Sequence, residues 1–387
     1  MTKLFYQDTH IIDFEGTVIS CVPDEKEGLF RVVLDRTAFF PEEGGQPADK
    51  GTLGGQTVAD VRIRDDVISH ILTAPLPVGQ KVDGHVDWAQ RFDFMQQHSG
   101  EHIISGLVHK HYGYDNVGFH LGLTEVTLDF NGELSLSQLR AIEAEANEAV
   151  WKDLPVKVSF PPVKELAQLT YRSKIELSGD VRIVEIPGID ICACCAPHVD
   201  STAQIGLIKI TGVQSHRGGV RVNILCGGRA VADYTAMQDS VASISVQLSA
   251  RQDRVAEAVA RLKEENAGQK ERINALQAAL LEERINALPS PDETANILLF
   301  MDALDNIAMR GAVNAMVERY KGYCGIFAGD DENGYHFILG SSGRDCRELA
   351  AHMREALGAK GGGSAPMIQG SVQAGQGAIK TFFSQLE

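Results

Sequence analysis

The sequence of 387 residues predicts an α+β protein of several domains, and three patterns along the chain lead to that prediction. Short runs of β-branched and aromatic residues fill residues 1–88, which predicts a small N-terminal β-barrel. Residues 89–232 contain helical and then strand-like segments, which predicts a two-layer α/β domain. Heptad-spaced apolar residues over 236–289 predict a long helical coiled-coil segment, and residues 293–387 predict a C-terminal α/β domain.

The composition restricts the classes of protein to which the chain can belong. A net charge of −16 argues against a protein that coats nucleic acid through bulk electrostatics, although it permits local contacts with a structured RNA. Seven cysteines, three of them within four positions, are typical of free or metal-bound thiols in a reducing cytosol. The N-terminus lacks a signal-peptide core, and no run approaches roughly 18 apolar residues. We therefore expect a cytoplasmic protein with no membrane-spanning segment.

Residues 37–49 break the strand pattern of the first region. Gly44 and Gly45 permit a positive φ and the close approach of another backbone, and Pro41 and Pro47 stiffen the flanks. Turn chemistry alone favours an ordinary turn at this position.

The pattern then becomes helical, and the helix carries two histidines. Trp88, Phe92, Met95, His98 and His102 are spaced to share one helical face. Because His98 and His102 are one turn apart, their imidazoles can bind the same metal ion. Histidine pairs are also common in proteins that bind no metal, so the pair alone does not establish a metal site.

A cysteine and a histidine recur at the same spacing far downstream. Cys194 and His198 are four residues apart, and with the two helical histidines they form a ligand set typical of zinc. Cys192 and Cys195 lie beside this set. They are further ligands, small hydrophobic side chains or redox-sensitive neighbours, and the spacing does not distinguish these roles.

Glu101 supports a competing interpretation. His98, Glu101 and His102 match the inverted H-x-x-E-H pattern of metallopeptidases, in which the glutamate is the general base. A thiolate ligand fits a catalytic peptidase zinc poorly, because such a site usually has three protein ligands and an open water position. The ordinary alternative for Glu101 is a solvated residue on the helix surface.

The helical segment carries a seam of apolar residues at heptad spacing. Val241, Leu248, Val255, Leu262 and Leu276 belong to one set, and the polar pair at positions 266 and 269 weakens the seam but fixes its register. The alternatives are a paired coiled coil, which would form a homodimer or a helical hairpin, and one long helix packed on its own domain.

The C-terminal region contains three consecutive glycines. Gly361, Gly362 and Gly363 leave backbone N–H groups free to face an anion or another backbone. Glycine runs are more often simply flexible, so this pattern is weak by itself.

Together these motifs resemble the editing half of alanyl-tRNA synthetase and its free-standing relatives, the AlaX family. The family's Phe-Tyr-Pro-Glu-x-Gly-Gly-Gln stretch is matched almost throughout by residues 39–46. Its Cys-Gly-Gly-Thr-His segment is matched at both ligand positions by residues 194–198, although not between them. The C-terminal region resembles the DHH-associated domain of the synthetase. Since no aminoacylation domain precedes the β-rich region, the chain resembles the long form of the editing protein.

The resemblance implies an aminoacyl-tRNA hydrolase that removes serine or glycine from mischarged tRNA(Ala). A site built for alanine rejects such amino acids only about 100-fold, so a second, hydrolytic selection is needed. The implied Zn²⁺ ligands are His98, His102, Cys194 and His198. The implied site residues are Glu101, Gln46 and His120 for catalysis, Phe39, Phe40, Gly44 and Gly45 for substrate binding, and Gly361, Gly362 and Gly363 for tRNA binding.

The sequence departs from the family at two places. Glu101 stands where the synthetase typically has threonine, and residues 116–122 replace a glutamine-bearing pocket loop. A carboxylate at position 101 has three possible roles: it acts as a general base, it attracts the ammonium group of the substrate, or it changes the specificity of the site. His120 is a pocket residue or a structural histidine. A non-catalytic tRNA-binding zinc protein is the remaining alternative.

Overall fold

The computed structural model describes residues 1–173, 181–290 and 296–386. The chain divides into two compact units, Met1–Ser243 and Ile244–Glu387, and each unit has hydrophobic cores of its own. Within the described residues, no helix is both long and apolar enough to cross a membrane. Helices and strands both occur in each unit, which confirms the predicted α+β class.

The first unit begins with a β-rich region, as predicted. Its strands are β1 (Thr2–Lys3), β2 (Asp13–Pro23), β3 (Phe30–Leu34), β4 (Arg36–Thr37), β5 (Gly51–Leu53), β6 (Gln56–Thr57), β7 (Asp60–Arg64), β8 (Val67–Leu72) and β9 (Lys81–Val86). Seven of them form an antiparallel sheet in the order β6-β5-β9-β2-β3-β8-β7, and β1 pairs with β4. Since β6 and β7 end this order without pairing to each other within residues 1–173, a closed barrel stays a prediction.

The long helix α1 (Trp88–Tyr112) carries both predicted histidine ligands. The Asp87 side chain accepts a hydrogen bond from the backbone N–H of Gln90 and so caps the first turn. Gly113 ends the helix with a φ of 69°, a left-handed conformation that glycine adopts without strain. Side chains from 97 to 108 are all buried, so this part of α1 runs through the interior of the unit.

The described chain from residue 113 to residue 226 forms two further sheets and two further α-helices. Its elements are β10 (Asn116–Leu121), β11 (Val126–Phe130), α2 (Leu136–Trp151), β12 (Lys157–Ser159), α3 (Val163–Leu166), β13 (Ile183–Ile186), β14 (Asp190–Ala193), β15 (Ile208–His216) and β16 (Gly219–Cys226). The sheets have the orders β10-β11-β16-β15 and β12-β13-β14. Ser135 caps the start of α2 in a capping box with Gln138.

Two helices, and not one long helix, cover the region 236–289, for which the sequence predicts a coiled-coil segment. They are α4 (Gly227–Gln247) and α5 (Val255–Asn286). Ser249, between them, has a φ of 49°, and the Ser245 hydroxyl donates to the Ala250 carbonyl. A local side-chain bond and a left-handed residue end the helical ladder here. Leu248 therefore lies outside both helices, while the heptad pattern continues without a break along α5.

The second unit contains a five-stranded sheet with helices. Its further elements are β17 (Ile297–Met301), α6 (Asn306–Arg319), β18 (Cys324–Asp330), β19 (Gly334–Gly340), α7 (Cys346–Leu357), β20 (Lys360–Ser364), β21 (Met367–Val372) and α8 (Gln376–Ser384). The sheet order is β17-β18-β19-β21-β20, and the β17–β18 pair is parallel. This region therefore contains both helices and strands, as the sequence predicts.

Candidate metal centre

The four predicted zinc ligands come together in the first unit. His98 and His102 lie one turn apart on α1, and Cys194 and His198 lie on the loop that follows β14. Their ligand atoms all lie within 4.8 Å of one another. The Cys194 Sγ atom is 3.5 Å from His98 Nε2 and 3.3 Å from His198 Nε2. These distances suit one ion bound at the centre of the four side chains.

Each histidine of the cluster is oriented by a hydrogen bond from its other ring nitrogen. The three bonds join Nδ1 of His98 to Gln46 Oε1 at 2.9 Å, Nδ1 of His102 to Asp190 Oδ2 at 2.9 Å, and Nδ1 of His198 to Ser99 Oγ at 3.0 Å. When Nδ1–H donates in this way, Nε2 keeps its lone pair for a metal ion. Because amide and carboxylate oxygens only accept, Gln46 and Asp190 orient His98 and His102 for ligation, while the Ser99 hydroxyl positions the His198 ring.

The charge states of the cluster also suit a metal. Burial lowers the pKa of His198 to about 3, so its imidazole is neutral near pH 7. Burial by itself raises the pKa of Cys194, but His98 and His198 beside it lower that pKa well below its usual value. Burial by itself lowers the pKa of His102, but its hydrogen bonds with Asp190 and Cys194 raise that pKa well above its usual value. Since thiolates and neutral imidazoles are the forms that bind metal ions, an ion bound here would displace the extra proton of His102. The donor set therefore fits Zn²⁺.

Asp190 is a functional residue that the sequence did not identify. Besides His102, it accepts two hydrogen bonds from Arg172, at 2.7 and 2.8 Å. Burial raises the pKa of Asp190, but the hydrogen bonds from His102 and Arg172 outweigh burial and lower it. The carboxylate is therefore ionised opposite His102. An acidic residue two positions before Cys192 was the available signal, because metal-bound histidines usually donate to a carboxylate.

Cys192 lies with His102 and Asp190 in a second group of potential ligands. Burial raises the pKa of Cys192 to about 11, so it is a neutral thiol at pH 7. Arg172 already occupies both oxygens of Asp190. We assign this second group to the support of His102 and not to another ion.

Glu101 is buried, so its interpretation as a solvated residue is wrong. Only 1% of its surface is exposed, and its Oε1 accepts hydrogen bonds from Ser105 Oγ at 2.8 Å and Asn116 Nδ2 at 2.6 Å. Its Oε2 lies 3.8 Å from His102 Nε2. Two side chains thus hold the carboxylate beside a predicted ligand. Since a fourth ligand, Cys194, completes the cluster, the peptidase alternative gains no support from the geometry.

The glycine-rich turn packs directly against the metal centre. Gly44 and Gly45 have φ values of 63° and 81°. A Cβ atom on Gly44 would lie 3.1 Å from Cys195 Sγ, and one on Gly45 would lie 2.8 Å from the Phe119 carbonyl oxygen. Glycine is therefore required here by both conformation and space. Gln46 follows in the same turn, fully buried, and its Nε2 has no hydrogen-bond partner.

Phe39 and Phe40 lie in a hydrophobic core, so their predicted role in substrate binding gains no support from the structure and stays a prediction. Both side chains have no exposed area. The Phe39 ring packs against Phe14 and His70, and the Phe40 ring packs against Phe5. Two consecutive residues are buried because the chain leaves the strand after Thr37, where alternation between faces no longer applies. These rings anchor the glycine-rich turn.

His120 is exposed on β10, and no described hydrogen bond joins it to the cluster, so its catalytic role stays a prediction. Its neighbour Phe119 packs against His98 with ring centroids 4.8 Å apart. Successive side chains of a strand point to opposite faces, so His120 points away from the histidines. The motif singled out His120 because it is titratable, whereas its neighbour Phe119 is the residue that contacts His98.

Gly361, Gly362 and Gly363 form part of the edge strand β20. They pair with Gly370, Gln369 and Ile368 of β21. One side of the backbone is therefore used by the sheet, while the other side faces outward as an edge. No described contact tests their predicted role in tRNA binding.

Comparisons with known proteins agree with this architecture. The family described as "Threonyl and Alanyl tRNA synthetase second additional domain" matches residues 181–222, which include Cys194 and His198. The family described as "tRNA synthetases class II (A)" matches residues 7–90, which include the glycine-rich turn.

Similar proteins cover nearly the whole chain. The chain is 29% identical to "Alanyl-tRNA editing protein Aarsd1" of Danio rerio over 380 residues, or 94% of this chain and 92% of that protein. It is 28% identical to "Alanyl-tRNA editing protein AlaX-L" of Pyrococcus horikoshii, over 96% of this chain and 95% of that protein. These matches confirm the resemblance to the alanyl-tRNA editing proteins.

The similarity extends to the synthetase itself. "Alanine--tRNA ligase" of Methanopyrus kandleri is 31% identical over 95% of this chain but only 42% of its own length. Among solved structures, the C-Ala domain of Aquifex aeolicus alanyl-tRNA synthetase matches 23% of this chain and 87% of that chain at 18% identity. Its TM-score of 0.21 is too low to establish a shared fold.

Proposed function

We propose that this chain is a zinc-dependent trans-editing hydrolase that cleaves the aminoacyl ester of mischarged tRNA(Ala). The observation that carries the proposal is the cluster of three imidazoles and one thiol, from His98, His102, His198 and Cys194, which is set against the glycine-rich turn. The similarity to alanyl-tRNA editing proteins over nearly the full chain supports the substrate class.

The residues of the site have distinct tasks in this proposal. His98, His102, Cys194 and His198 would hold Zn²⁺, which when bound supplies a positive charge that polarises or positions the substrate. The outer partners of His98 and His102 keep Nε2 of these two side chains free for ligation. The reaction adds water to the ester carbonyl carbon and breaks the bond to the ribose oxygen, which takes up a proton.

Serine and glycine are the amino acids that we expect to be removed. A pocket for alanine cannot strongly reject the smaller glycine, and one hydroxyl is also rejected only about 100-fold. Hydrolysis after charging is therefore useful for these two. Such an enzyme would meet its substrate in the cytoplasm.

The second unit supports a contribution to tRNA binding and to assembly. We infer that the DHH-associated-like region binds tRNA along the β20 edge, where the three glycines leave no side chains in the way.

Leu262, Ile273 and Leu276 on α5 are each at least half exposed and keep heptad spacing. They favour a homodimer through α5, which sedimentation equilibrium tests: a monomeric wild type, or a Leu276→Asp variant that still dimerises, contradicts it.

A panel of charged tRNAs tests the function. The purified protein is expected to release serine or glycine from mischarged tRNA(Ala) and to spare alanyl-tRNA(Ala). The control is a His98→Ala/His102→Ala variant, and release no faster than with this variant would refute the proposal. Elemental analysis of protein purified without chelator adds a second readout, since near-stoichiometric zinc is expected. Zinc without hydrolysis would favour the non-catalytic tRNA-binding alternative.

A further inference from the structure

Glu43 is a carboxylate in the glycine-rich turn to which no task has yet been assigned. It is half-buried and lies near Cys195, where burial raises the pKa of the thiol and the Glu43 carboxylate raises it further. Within residues 1–173, 181–290 and 296–386, no lysine, arginine or histidine forms an ion pair with it. A partly buried carboxylate that no cation balances is poorly satisfied, because a buried charge is costly unless it is paired.

The position of Glu43 beside the metal centre is fixed from both sides. Its backbone exchanges two hydrogen bonds with Gln46, at 3.1 and 3.2 Å, and Gln46 in turn holds His98. On the other side, Cys195 directly follows the ligand Cys194. The carboxylate therefore belongs to a rigid turn that is tied to two of the four metal ligands.

One cation of this region, Arg182, directs one of its nitrogens at the ligand loop. Arg182 donates from one nitrogen to the carbonyl oxygens of Cys194 and Ala196, both at 2.8 Å, and its guanidinium lies over the Tyr6 ring. It therefore braces the ligand loop. The negative charge of Glu43 remains available to a positive group from outside the protein.

Gln46 gives an independent sign that this turn meets a polar ligand. Its Oε1 accepts from His98 Nδ1, so its amide nitrogen faces elsewhere. That nitrogen is buried and has no partner. Buried donors are nearly always paired, and leaving one unpaired costs about 1–3 kcal/mol. The same turn thus presents an unsatisfied donor and an available carboxylate.

We propose that Glu43 binds the α-ammonium group of the aminoacyl ester, which makes it a specificity-determining residue. This inference rests on the proposed function. Every aminoacyl ester carries a positive ammonium one carbon from the carbonyl that water attacks. A carboxylate next to the metal ligands matches that arrangement in charge and in position. Glu43 therefore selects esters with a free amine and aligns their carbonyl with the metal centre.

Two esters and two variants test this role. The substrates are seryl-tRNA(Ala) and its α-hydroxy analogue, in which a neutral hydroxyl of similar size replaces the ammonium. The variants are Glu43→Gln and, as a matched control, Glu42→Gln, which removes the exposed neighbouring carboxylate of the same turn. Hydrolysis kinetics give kcat and KM for each pair, and zinc content shows that each protein retains its metal centre.

Glu43→Gln is expected to lower kcat/KM for seryl-tRNA(Ala) roughly 10- to 100-fold, mainly through KM, because a charged hydrogen bond is lost. For the α-hydroxy analogue, Glu43→Gln is expected to change kcat/KM less than about 2-fold. Glu42→Gln is expected to leave kcat/KM unchanged for both esters. Equal losses on both esters, or no loss on either, would overturn the inference alone. If the wild-type protein hydrolyses neither ester, the proposed function falls and this inference falls with it.

Discussion

Asp190 shows how a single side chain outside the ligand set controls the metal centre. It accepts from His102 and is itself bound by Arg172. The carboxylate thereby orients the imidazole and increases its basicity. The sequence could not assign this task, because His102 and Asp190 are 88 positions apart and only the fold brings them together.

Replacing Asp190 by asparagine is therefore expected to weaken zinc binding by about 10- to 100-fold. Competition with a chromophoric chelator measures the affinity. Asp115→Asn is a matched control. Asp115 accepts a hydrogen bond of 2.8 Å from Nδ1 of His109, which lies on α1 as His102 does, but this pair is exposed and belongs to no predicted ligand set. An Asp190→Asn variant that binds zinc as tightly as the control would contradict the role of Asp190.

His70 makes the stability of the first region depend on pH. It is fully buried, where its Nδ1–H donates to the Val32 carbonyl and its Nε2 accepts from the Thr37 hydroxyl. Burial lowers the pKa of His70 from 6.5 to about 4. The unfolded chain therefore binds a proton that the folded chain does not, so stability is complete above about pH 6.5 and falls as the pH drops towards 4.

Between about pH 7 and about pH 5, we expect this histidine alone to lower the free energy of unfolding by roughly 2 kcal/mol. Urea unfolding of zinc-loaded protein at the two pH values measures the change. A His70→Leu variant is less stable at neutral pH but should lose less stability on acidification. An equal pH dependence in both proteins would show that His70 is not the titrating group.

At the scale of elements, the glycine-rich turn joins the β-rich region to the metal centre. Gly45 approaches Phe119 of β10, and the Gly45 carbonyl accepts from the backbone N–H of Leu121 at 3.1 Å. Arg91 of α1 forms a buried ion pair with Asp49, just after the turn. The turn is therefore held by α1 and by β10, the elements that also carry His98 and the ring packed against it.

Gly45→Ala is expected to disturb the site because it adds both strain and a collision. A positive φ costs a non-glycine residue roughly 1–3 kcal/mol, and the Phe119 carbonyl must also move. Gly55→Ala separates the two effects, since Gly55 has a φ of 76° with open space around it. The rate of deacylation should fall at least tenfold for Gly45→Ala and remain near that of the wild type for Gly55→Ala. Similar activities would contradict the packing role of the turn.

Local signals explain which parts of the fold were predictable. The pair His98 and His102 follows from helical spacing, and the strands of the second unit follow from short apolar runs bounded by turns. Glu101 was recognised as unusual, but its burial depends on Asn116, which only the packing of β10 against α1 reveals. The interruption at Ser249 was missed because heptad counting records spacing and not backbone conformation.

At the scale of the whole molecule, the two units divide the proposed work. The metal centre and its supporting residues lie in the first unit, and the β20 edge lies in the second. Leu281 of α5 belongs to a hydrophobic core of the second unit. A truncation near Pro289 would therefore leave α5 without its packing partners, and a chain that ends after Gln247, at the end of α4, is the better fragment.

This fragment, residues 1–247, is expected to keep hydrolysis but to lose tRNA affinity. Single-turnover deacylation at saturating protein should stay within a few-fold of the full chain, while the Kd for tRNA(Ala) should rise roughly tenfold or more, since contacts to the nucleic acid are removed.

In the full chain, Gly362→Glu should weaken tRNA binding similarly, because a Cβ at Gly362 meets no neighbour and the added charge repels phosphate. Gly362→Ser is the neutral control. Unchanged Kd values in the fragment and in Gly362→Glu would show that tRNA is bound by the first unit alone.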